Sequence, residues 1–215
     1  DGNNAIELKY LKEVAKAWRD KVRSGHLSRP AAWLNLNSTI IKTLQYPLPA
    51  TTFTKKECHD ILSPCLMGGL PAAGIASTFP RVVVHAPLKF QGLNVPDLYV
   101  SQGISHIQYL LKFGSKPEDM TGELLRANLE ALRLELGTNG QLFSLNFIKY
   151  GPLATESWIK HVWEFQAENH LLVYTDTPEL QLKRNRDHLL MPKFVADGVK
   201  GEKLQAINRC RLFLR

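Results

Sequence analysis

The sequence predicts a mainly α-helical protein: a helical hairpin or bundle followed by a second helical segment, with little β-structure. Apolar residues recur at steps of three and four, helix-start and helix-stop signals recur between these stretches, and only one short run favours a strand. With 215 residues, of which 44% are hydrophobic, the chain can bury an ordinary core as one large or two small domains.

A break at residues 114–117, with the sequence GSKP, divides the chain. We expect one helical region over residues 1–113 and a second helical region over residues 118–215. The chain begins without methionine and stops inside an apolar helical pattern that carries no capping signal. We therefore expect truncation at both ends of a longer protein. Simple trimming of the chain is the alternative.

The first helix is predicted from an amphipathic pattern. Asn4 and Glu7, three residues apart, suggest a capping pair at its start, and Gly25 suggests its end. Steps of three and four place one apolar stripe on a single face of this helix. The stripe consists of Leu8, Leu11, Ala15, Trp18 and Val22.

A second helix is expected directly after the first. Ser28 and Pro30 suit its first turn, while Pro47 and Pro49 end it. Two helices joined by a short turn form a helical hairpin. The expected apolar face of the second helix consists of Trp33, Leu34, Ile40 and Ile41.

A third, shorter helix is predicted from a capping-box pattern, Thr54 followed by Glu57, with Pro64 as a candidate kink. Residues 67–78 are rich in glycine and proline and are predicted to form a loop. Residues 79–85 fit a strand by their valine run or a helix with proline in its first turn, and we favour the helix.

Residues 92–97 are predicted to form a turn, from which Asp97 caps a helix running to about residue 113. A leucine-rich helix follows and ends at residues 137–140, and further helices are expected near residues 155–168, 187–196 and 202–215. Residues 171–174 form the best strand candidate. The residues expected to face inward in the two helices are Leu98, Ile104, Ile107, Leu110, Leu111, Leu125, Leu129, Leu132 and Leu136.

The charge balance favours an anionic partner. There are 27 Lys and Arg residues against 20 Asp and Glu, which gives a net charge of +7 and a pI near 9.3. The apolar runs are too short to cross a bilayer, and no secretory leader pattern is present. We expect an intracellular protein, cytoplasmic or nuclear, that makes no membrane contact.

Catalytic signatures are sparse. The sequence contains no nucleophile elbow, phosphate-binding loop or zinc-protease motif, and no Asp-Asp step for two-metal chemistry. Three cysteines at no metal-ligand spacing favour free thiols, and we expect no catalytic residue, metal or cofactor in this chain. Two alternatives stay open. One is a hydrolase built on some of Cys58, His59 and Asp60, and the other is a distant carboxylate pair drawn from Asp60, Asp97, Asp176 and Asp187.

A basic stripe lies beside the apolar stripe of the first helix. Its five cations recur at steps of three and four, so they share one face, and like charges at these spacings favour an anionic surface opposite them. An ordinary solvated helix face is the alternative. The members of the stripe are Lys9, Lys12, Lys16, Arg19 and Arg23.

Several motifs of the first half resemble one protein family. Trp18, GHLS at 25–28, Trp33, IIK at 40–42 and YPLP at 46–49 resemble the region just after the palm in reverse transcriptases of non-LTR retrotransposons. That region is the thumb of the polymerase.

The resemblance continues over nearly the full chain. PR at 80–81, PLK at 87–89 and QGLNVPDL at 91–98 look like the family's segment of an arginine, a short apolar element and a G-L-x-x-P-D-L turn. NRCRLFL at 208–214 is similar to the tail of environmental and algal retroelement proteins. The chain departs from the pattern at Gln91, where a second glycine is common.

The resemblance implies a nucleic-acid-binding thumb and connector of an RNA-directed DNA polymerase. The fingers and palm of the same polyprotein, with the F/Y-x-D-D acids and their magnesium, would precede Asp1. A thumb grips the template–primer duplex, RNA or DNA, in its minor groove and sets processivity. Lys42 and Lys89, which lie within the matching motifs, join the basic stripe as candidate nucleic-acid contacts. A helical module that binds protein through its apolar faces is the alternative.

Overall fold

The computed structural model describes residues 4–114, 116, 118–175 and 188–214. These residues are mainly helical, as predicted, and none of them forms a strand. The chain divides into two compact units, Asp1–Ser105 and His106–Arg215. The division falls inside a helix, eight or more residues before the GSKP break expected from the sequence.

The first unit opens with helix α1 (Ala5–Ser24). A continuous helical stretch then comprises α2 (Arg29–Asn35), one π-helical segment (Leu36–Ile40) and α3 (Ile41–Gln45). Helix α4 (Lys55–Ala72) packs along α1, which makes this pair the main helix–helix contact of the unit. A third long helix, α4, therefore packs beside the predicted hairpin of α1 and the second helical stretch.

The helix-end signals in the sequence are confirmed at α2 and wrong at the start of α1. Ser28 caps α2, and its hydroxyl accepts a hydrogen bond from the Ala31 amide. The capping pair predicted for α1 is wrong, because Asn4 makes no side-chain cap and its Nδ2 donates to Thr52 Oγ1 at 2.7 Å. A tertiary partner has replaced the local one. Gly25 follows the end of α1 in an extended conformation.

Helix α4 differs most from its prediction. Thr54 and Glu57 form the full capping box, as predicted. The loop predicted from residue 67 is wrong as far as residue 72, because the helix continues there through Gly68 and Gly69. Both glycines are buried against side chains of α1 and the π-helical segment, so packing outweighs their low helix propensity.

The remaining elements of the first unit are α5 (Arg81–His85), a 3₁₀ turn (Leu88–Phe90) and the start of α6 (Leu98–Gly114). The preference for helix over strand at residues 79–85 is confirmed. Asp97 caps α6 as predicted, since its Oδ1 accepts from the Val100 amide at 3.0 Å. Three residues predicted to face inward are instead exposed: Leu34 and Ile104 in the first unit and Leu111 in the second.

The turn before α6 has a specific backbone requirement. Gln91 adopts φ +60°, in the left-handed region that favours glycine. The neighbouring Gly92 has no room for a side chain, because a Cβ there would lie 2.0 Å from the Ala86 carbonyl oxygen. The turn thus tolerates glutamine at one position and requires glycine at the next.

The core of the first unit lies between α1, the second helical stretch and α4. It includes buried apolar side chains from every one of these elements, with Trp18 and Trp33 packed against it and partly exposed. Its members include Leu11, Ala15, Leu36, Ile40, Ile41, Leu44, Phe53, Ile61, Cys65, Leu66, Leu70, Val84, Val95 and Leu98.

The second unit is also helical. Gly137, at φ +69°, ends α7 in the left-handed conformation typical of helix C-termini, as the sequence predicted. The elements after α6 are α7 (Met120–Leu136), a 3₁₀ turn (Leu142–Ser144), α8 (Phe147–Tyr150), a 3₁₀ turn (Gly151–Leu153), α9 (Trp158–Glu168), α10 (Leu190–Ala196) and α11 (Gly201–Phe213).

Trp163 is the centre of the second core and is fully buried. Its ring packs edge-on against the Phe147 ring, with the ring centroids 5.0 Å apart, and its Nε1 donates a hydrogen bond to the Leu145 carbonyl at 3.4 Å. The predicted inward leucines of α7 are buried, and Leu129, Leu132 and Leu136 belong to the same core as Trp163. The strand predicted at residues 171–174 is wrong, because this segment is irregular and largely exposed. None of the described helices combines the length and apolarity needed to cross a bilayer.

Candidate functional site

The basic stripe of α1 is split by its packing against α4. Lys12 and Arg19 lie nearest the apolar stripe and are partly buried, whereas Lys9, Lys16 and Arg23 are exposed. The reason is angular: residues near the edge of the apolar face are drawn under the neighbouring helix, and those one row further round remain in solvent.

Lys12 is neutralised within the chain. Its Nζ lies 3.1 Å from Asp60 Oδ2 on α4. The hydrogen bond from Lys12 is the largest cause that lowers the pKa of the Asp60 carboxyl, with the positive charges of Lys12 and Lys56 adding to it. Lys12 therefore has a carboxylate partner already and is a weaker phosphate ligand than the sequence suggested.

Arg19 and Arg23 also make contacts within the first unit. The guanidinium of Arg19 pairs with Asp20 at 2.8 Å, and its aliphatic stem crosses Gly68. Arg23 donates from Nη2 to the Met67 carbonyl at 3.3 Å, yet its side chain remains exposed. The side chain of Arg19 therefore contributes to the packing of α1 against α4, and its charge is paired with Asp20.

Three exposed cations keep the regular spacing. Lys9, Lys16 and Arg23 follow one another at intervals of two helical turns, about 10.5 Å at the helical rise of 1.5 Å per residue. A straight row of this kind can follow an extended anionic surface such as a phosphate backbone. We call these three residues the exposed cation row.

Lys42 and Lys89 lie on other elements than α1. Lys42 on α3 is exposed, and its Nζ donates to Gln45 Oε1 at 3.4 Å. Lys89, in the 3₁₀ turn before α6, has its Nζ 4.9 Å from the ring centroid of Phe90. Both side chains are accessible.

Cys58, His59 and Asp60 do not form a catalytic triad. Consecutive residues of a helix project in different directions, and here Cys58 is buried, His59 is exposed and Asp60 pairs with Lys12. Burial, with the nearby charges of Asp97 and Glu57, raises the pKa of the Cys58 thiol to about 12. The thiol stays protonated near neutral pH and is not an activated nucleophile.

No group of three or more His, Cys, Asp or Glu residues in the described part of the chain is placed to hold a metal ion. Two of the four acids considered for a distant carboxylate pair, Asp176 and Asp187, lie outside the described residues. The other two are engaged elsewhere: Asp60 with Lys12, and Asp97 as the cap of α6.

A cavity of about 150 Å³ in the first unit was not foreseen from the sequence. It lies between α4, α5 and the start of α6, so its lining is brought together by packing and carries no motif. The lining residues are Lys55, Cys58, His59, Leu62, Ser63, Leu66, Arg81, His85, Asp97 and Leu98.

Arg81 is the unusual member of this lining. Its Nη2 donates to the Ser77 carbonyl at 3.2 Å, while its Nη1 is buried and has no hydrogen-bond partner among the described residues. A buried donor without an acceptor costs about 1–3 kcal/mol, and more when it is charged. We refer to this site as the Arg81 cavity.

The second unit contains a larger cavity of about 300 Å³ between α7 and the start of α9. Trp158 lines it, together with Glu135, whose carboxylate accepts hydrogen bonds from the amide and hydroxyl of Thr155 at 2.9 and 3.1 Å. The carboxylate of Glu135 thereby ties α7 to the segment that precedes α9.

Comparison with known proteins gives no relative: no protein-family model matches the chain, and neither the curated proteins nor the solved structures contain a match.

Proposed function

We propose that this chain is the thumb and connector segment of an RNA-directed DNA polymerase and that it grips the template–primer duplex. The catalytic fingers and palm, with their magnesium, would belong to the same polyprotein. The observation that carries the proposal is the exposed cation row on α1. The helical architecture and the net charge of +7 support it.

The physical case is electrostatic. A duplex carries one negative charge per about 1.7 Å of its axis, so a row of cations along a helix can contact several phosphates at once. Lys9, Lys16 and Arg23 have no acidic partner among the described residues within ion-pair distance. Their charge is therefore available to an external anion, unlike that of Lys12.

The test is salt-dependent binding of a primer–template duplex, measured by fluorescence anisotropy. The variant Lys9→Glu/Lys16→Glu should lose affinity for all duplex sequences about equally, because phosphate contacts carry no base information. The slope of log affinity against log salt should flatten by about 0.9 for each lost contact.

A matched control has the same change of charge at other exposed lysines. Lys21→Glu lies on a different face of α1, and Lys203→Glu lies on α11. This double variant should keep nearly the parental affinity and slope. Equal binding by the parent and both variants, all folded by circular dichroism, would refute the proposal.

A protein-interaction module is the second candidate, and one observation favours it. Val82, Leu88 and Phe90 fall close together in the sequence and are 84%, 70% and 69% exposed. Exposed apolar side chains of this size are typical of contact surfaces for other proteins. Duplex binding that is absent, or independent of salt, would make this candidate the better one.

A further inference from the structure

We propose that the Arg81 cavity binds a phosphoryl group, either as free phosphate or as the terminal phosphate of a nucleic acid. The inference goes beyond the proposed thumb function, because the site shares no residue with the exposed cation row and does not require a polymerase. Three features carry it: an excess of cationic side chains, a guanidinium donor that lacks an acceptor, and the small size of the cavity.

The charge of the lining favours an anion. Lys55, at the start of α4, and Arg81, at the start of α5, contribute two permanent positive charges. Asp97 contributes one carboxylate, and its Oδ1 is occupied by the Val100 amide. Leaving the two imidazoles aside, the residues that line the cavity carry two cations against one carboxylate.

The hydrogen-bonding groups of the lining are also suited to oxyanions. A guanidinium presents several N–H donors in one plane, which is the geometry that binds phosphate oxygens best. Arg81 uses Nη2 on the Ser77 carbonyl, and its Nη1 has no acceptor among the described residues. A phosphoryl oxygen in the cavity would supply an acceptor for this guanidinium and balance its positive charge.

His85 is held by the backbone in the same site. Its Nδ1 lies 2.8 Å from the Val95 carbonyl oxygen, which can only accept, so Nδ1 carries a proton. The ring is thereby fixed in orientation. Together with His59 and Ser63, it adds polar groups to a lining whose floor is apolar.

The size of the cavity and the chemistry of its lining favour a small group. About 150 Å³ is smaller than the cavities of roughly 300–1,000 Å³ that enclose drug-sized ligands, so a small group fits and a whole nucleotide does not. A metal ion is disfavoured, because no three His, Cys, Asp or Glu residues in the described part of the chain are placed to ligate one.

The experiment is isothermal titration calorimetry of the full chain with inorganic phosphate. In a second arm, a short oligonucleotide is compared with and without a 5′-phosphate. We expect binding of phosphate to the parent, weakened by about tenfold or more in Arg81→Gln. Lys55→Gln should weaken binding in the same direction.

The matched control is Lys56→Gln. Lys56 is exposed next to Lys55 but does not line the cavity. Since Lys55 is itself exposed, its variant should fold normally, which circular dichroism will verify, and it keeps the test valid even if Arg81→Gln is unstable. Lys56→Gln should bind phosphate like the parent.

The outcomes separate the sources of the ligand. Binding of inorganic phosphate alone indicates a free ligand, whereas a gain that depends on the oligonucleotide's 5′-phosphate indicates a nucleic-acid terminus. Absence of binding in both arms at millimolar concentration would overturn the proposal, as would equal losses in Lys55→Gln and Lys56→Gln. Neither result bears on the duplex-binding test, which depends on Lys9 and Lys16.

Discussion

Cys58 and Cys65 differ chemically from Cys210, although all three are free thiols. The first two are buried in the core of the first unit, while Cys210 is exposed on α11. Burial raises the pKa of the Cys65 thiol to about 12, as it does for Cys58. The two buried thiols are therefore structural side chains that behave as small apolar groups.

We predict that a thiol-reactive dye at pH 8 modifies Cys210 rapidly and the other two cysteines only after unfolding. The reason is that the thiolate is the reactive form, and the buried thiols combine a raised pKa with poor access. Counting modified thiols against time, with and without denaturant, checks this. Rapid labelling of Cys58 in the folded protein would contradict the burial of α4.

The same thiols predict a loss of stability in alkali. Above the ordinary cysteine pKa of 9.0 the unfolded chain releases these protons, whereas the folded chain keeps them up to a pKa of about 12. The unfolded state then binds fewer protons, so the free energy of unfolding falls as pH rises from 9 towards 12. Urea melts of the parent should show this slope. In the variant Cys58→Ala/Cys65→Ala the slope of the free energy of unfolding against pH should be smaller. This holds even if the substitutions lower the stability below pH 9.

Trp18 is a structural residue and not a stacking platform for bases. It packs against the first core, and its Nε1 donates to Asn35 Oδ1 at 2.7 Å. Truncation of a fully buried tryptophan costs about 3–5 kcal/mol of stability. Because Trp18 is partly exposed, we expect Trp18→Ala to cost about 3 kcal/mol. Thermal unfolding measures this loss of stability. Tyr46→Ala, at an 88% exposed position, is the control and should change little.

An unchanged melting temperature together with lost duplex binding in Trp18→Ala would contradict this assignment.

At the scale of elements, the contact between α1 and α4 depends on Gly68. A Cβ at this position would lie 2.9 Å from Arg19 Cγ and 3.3 Å from Arg19 Cα. The latter distance involves the backbone, so the two helices would have to move apart. Gly68 is therefore a point of close helix approach and not a loop residue.

We predict that Gly68→Ala lowers the free energy of unfolding by about 1–3 kcal/mol, because overpacking outweighs the gain in helix propensity. The control is Gly114→Ala at the end of α6, where a Cβ would meet nothing within 4 Å. That variant should be neutral or slightly stabilised. Urea denaturation compares the two. Equal effects of both substitutions would show that no close contact exists at Gly68.

At the scale of the whole molecule, the chain is expected to supply binding without polymerase chemistry. Two-metal catalysis needs clustered carboxylates. Asp60 and Asp97, the two candidates within the described residues, are committed to an ion pair and a helix cap. We predict no extension of a labelled primer by the purified chain with any template or divalent metal. Extension that disappears when acids of this chain are mutated would overturn the prediction.

The sequence by itself determined the fold class and many of the helix ends. The predicted helix ends are confirmed at Thr54 with Glu57, Ser28, Asp97 and Gly137. The reason is that a cap is a local interaction between residues a few positions apart, so its information lies within one short segment.

Only the tertiary structure decided which residues of a helix face another helix and which remain available. It extended α4 through Gly68, paired Lys12 with Asp60, left Leu34 exposed and placed Arg81 in a cavity. Each of these outcomes depends on a partner distant in the sequence. Periodicity defines the faces of a helix, but the close approach of a second helix determines how wide the buried face is and which charges it neutralises.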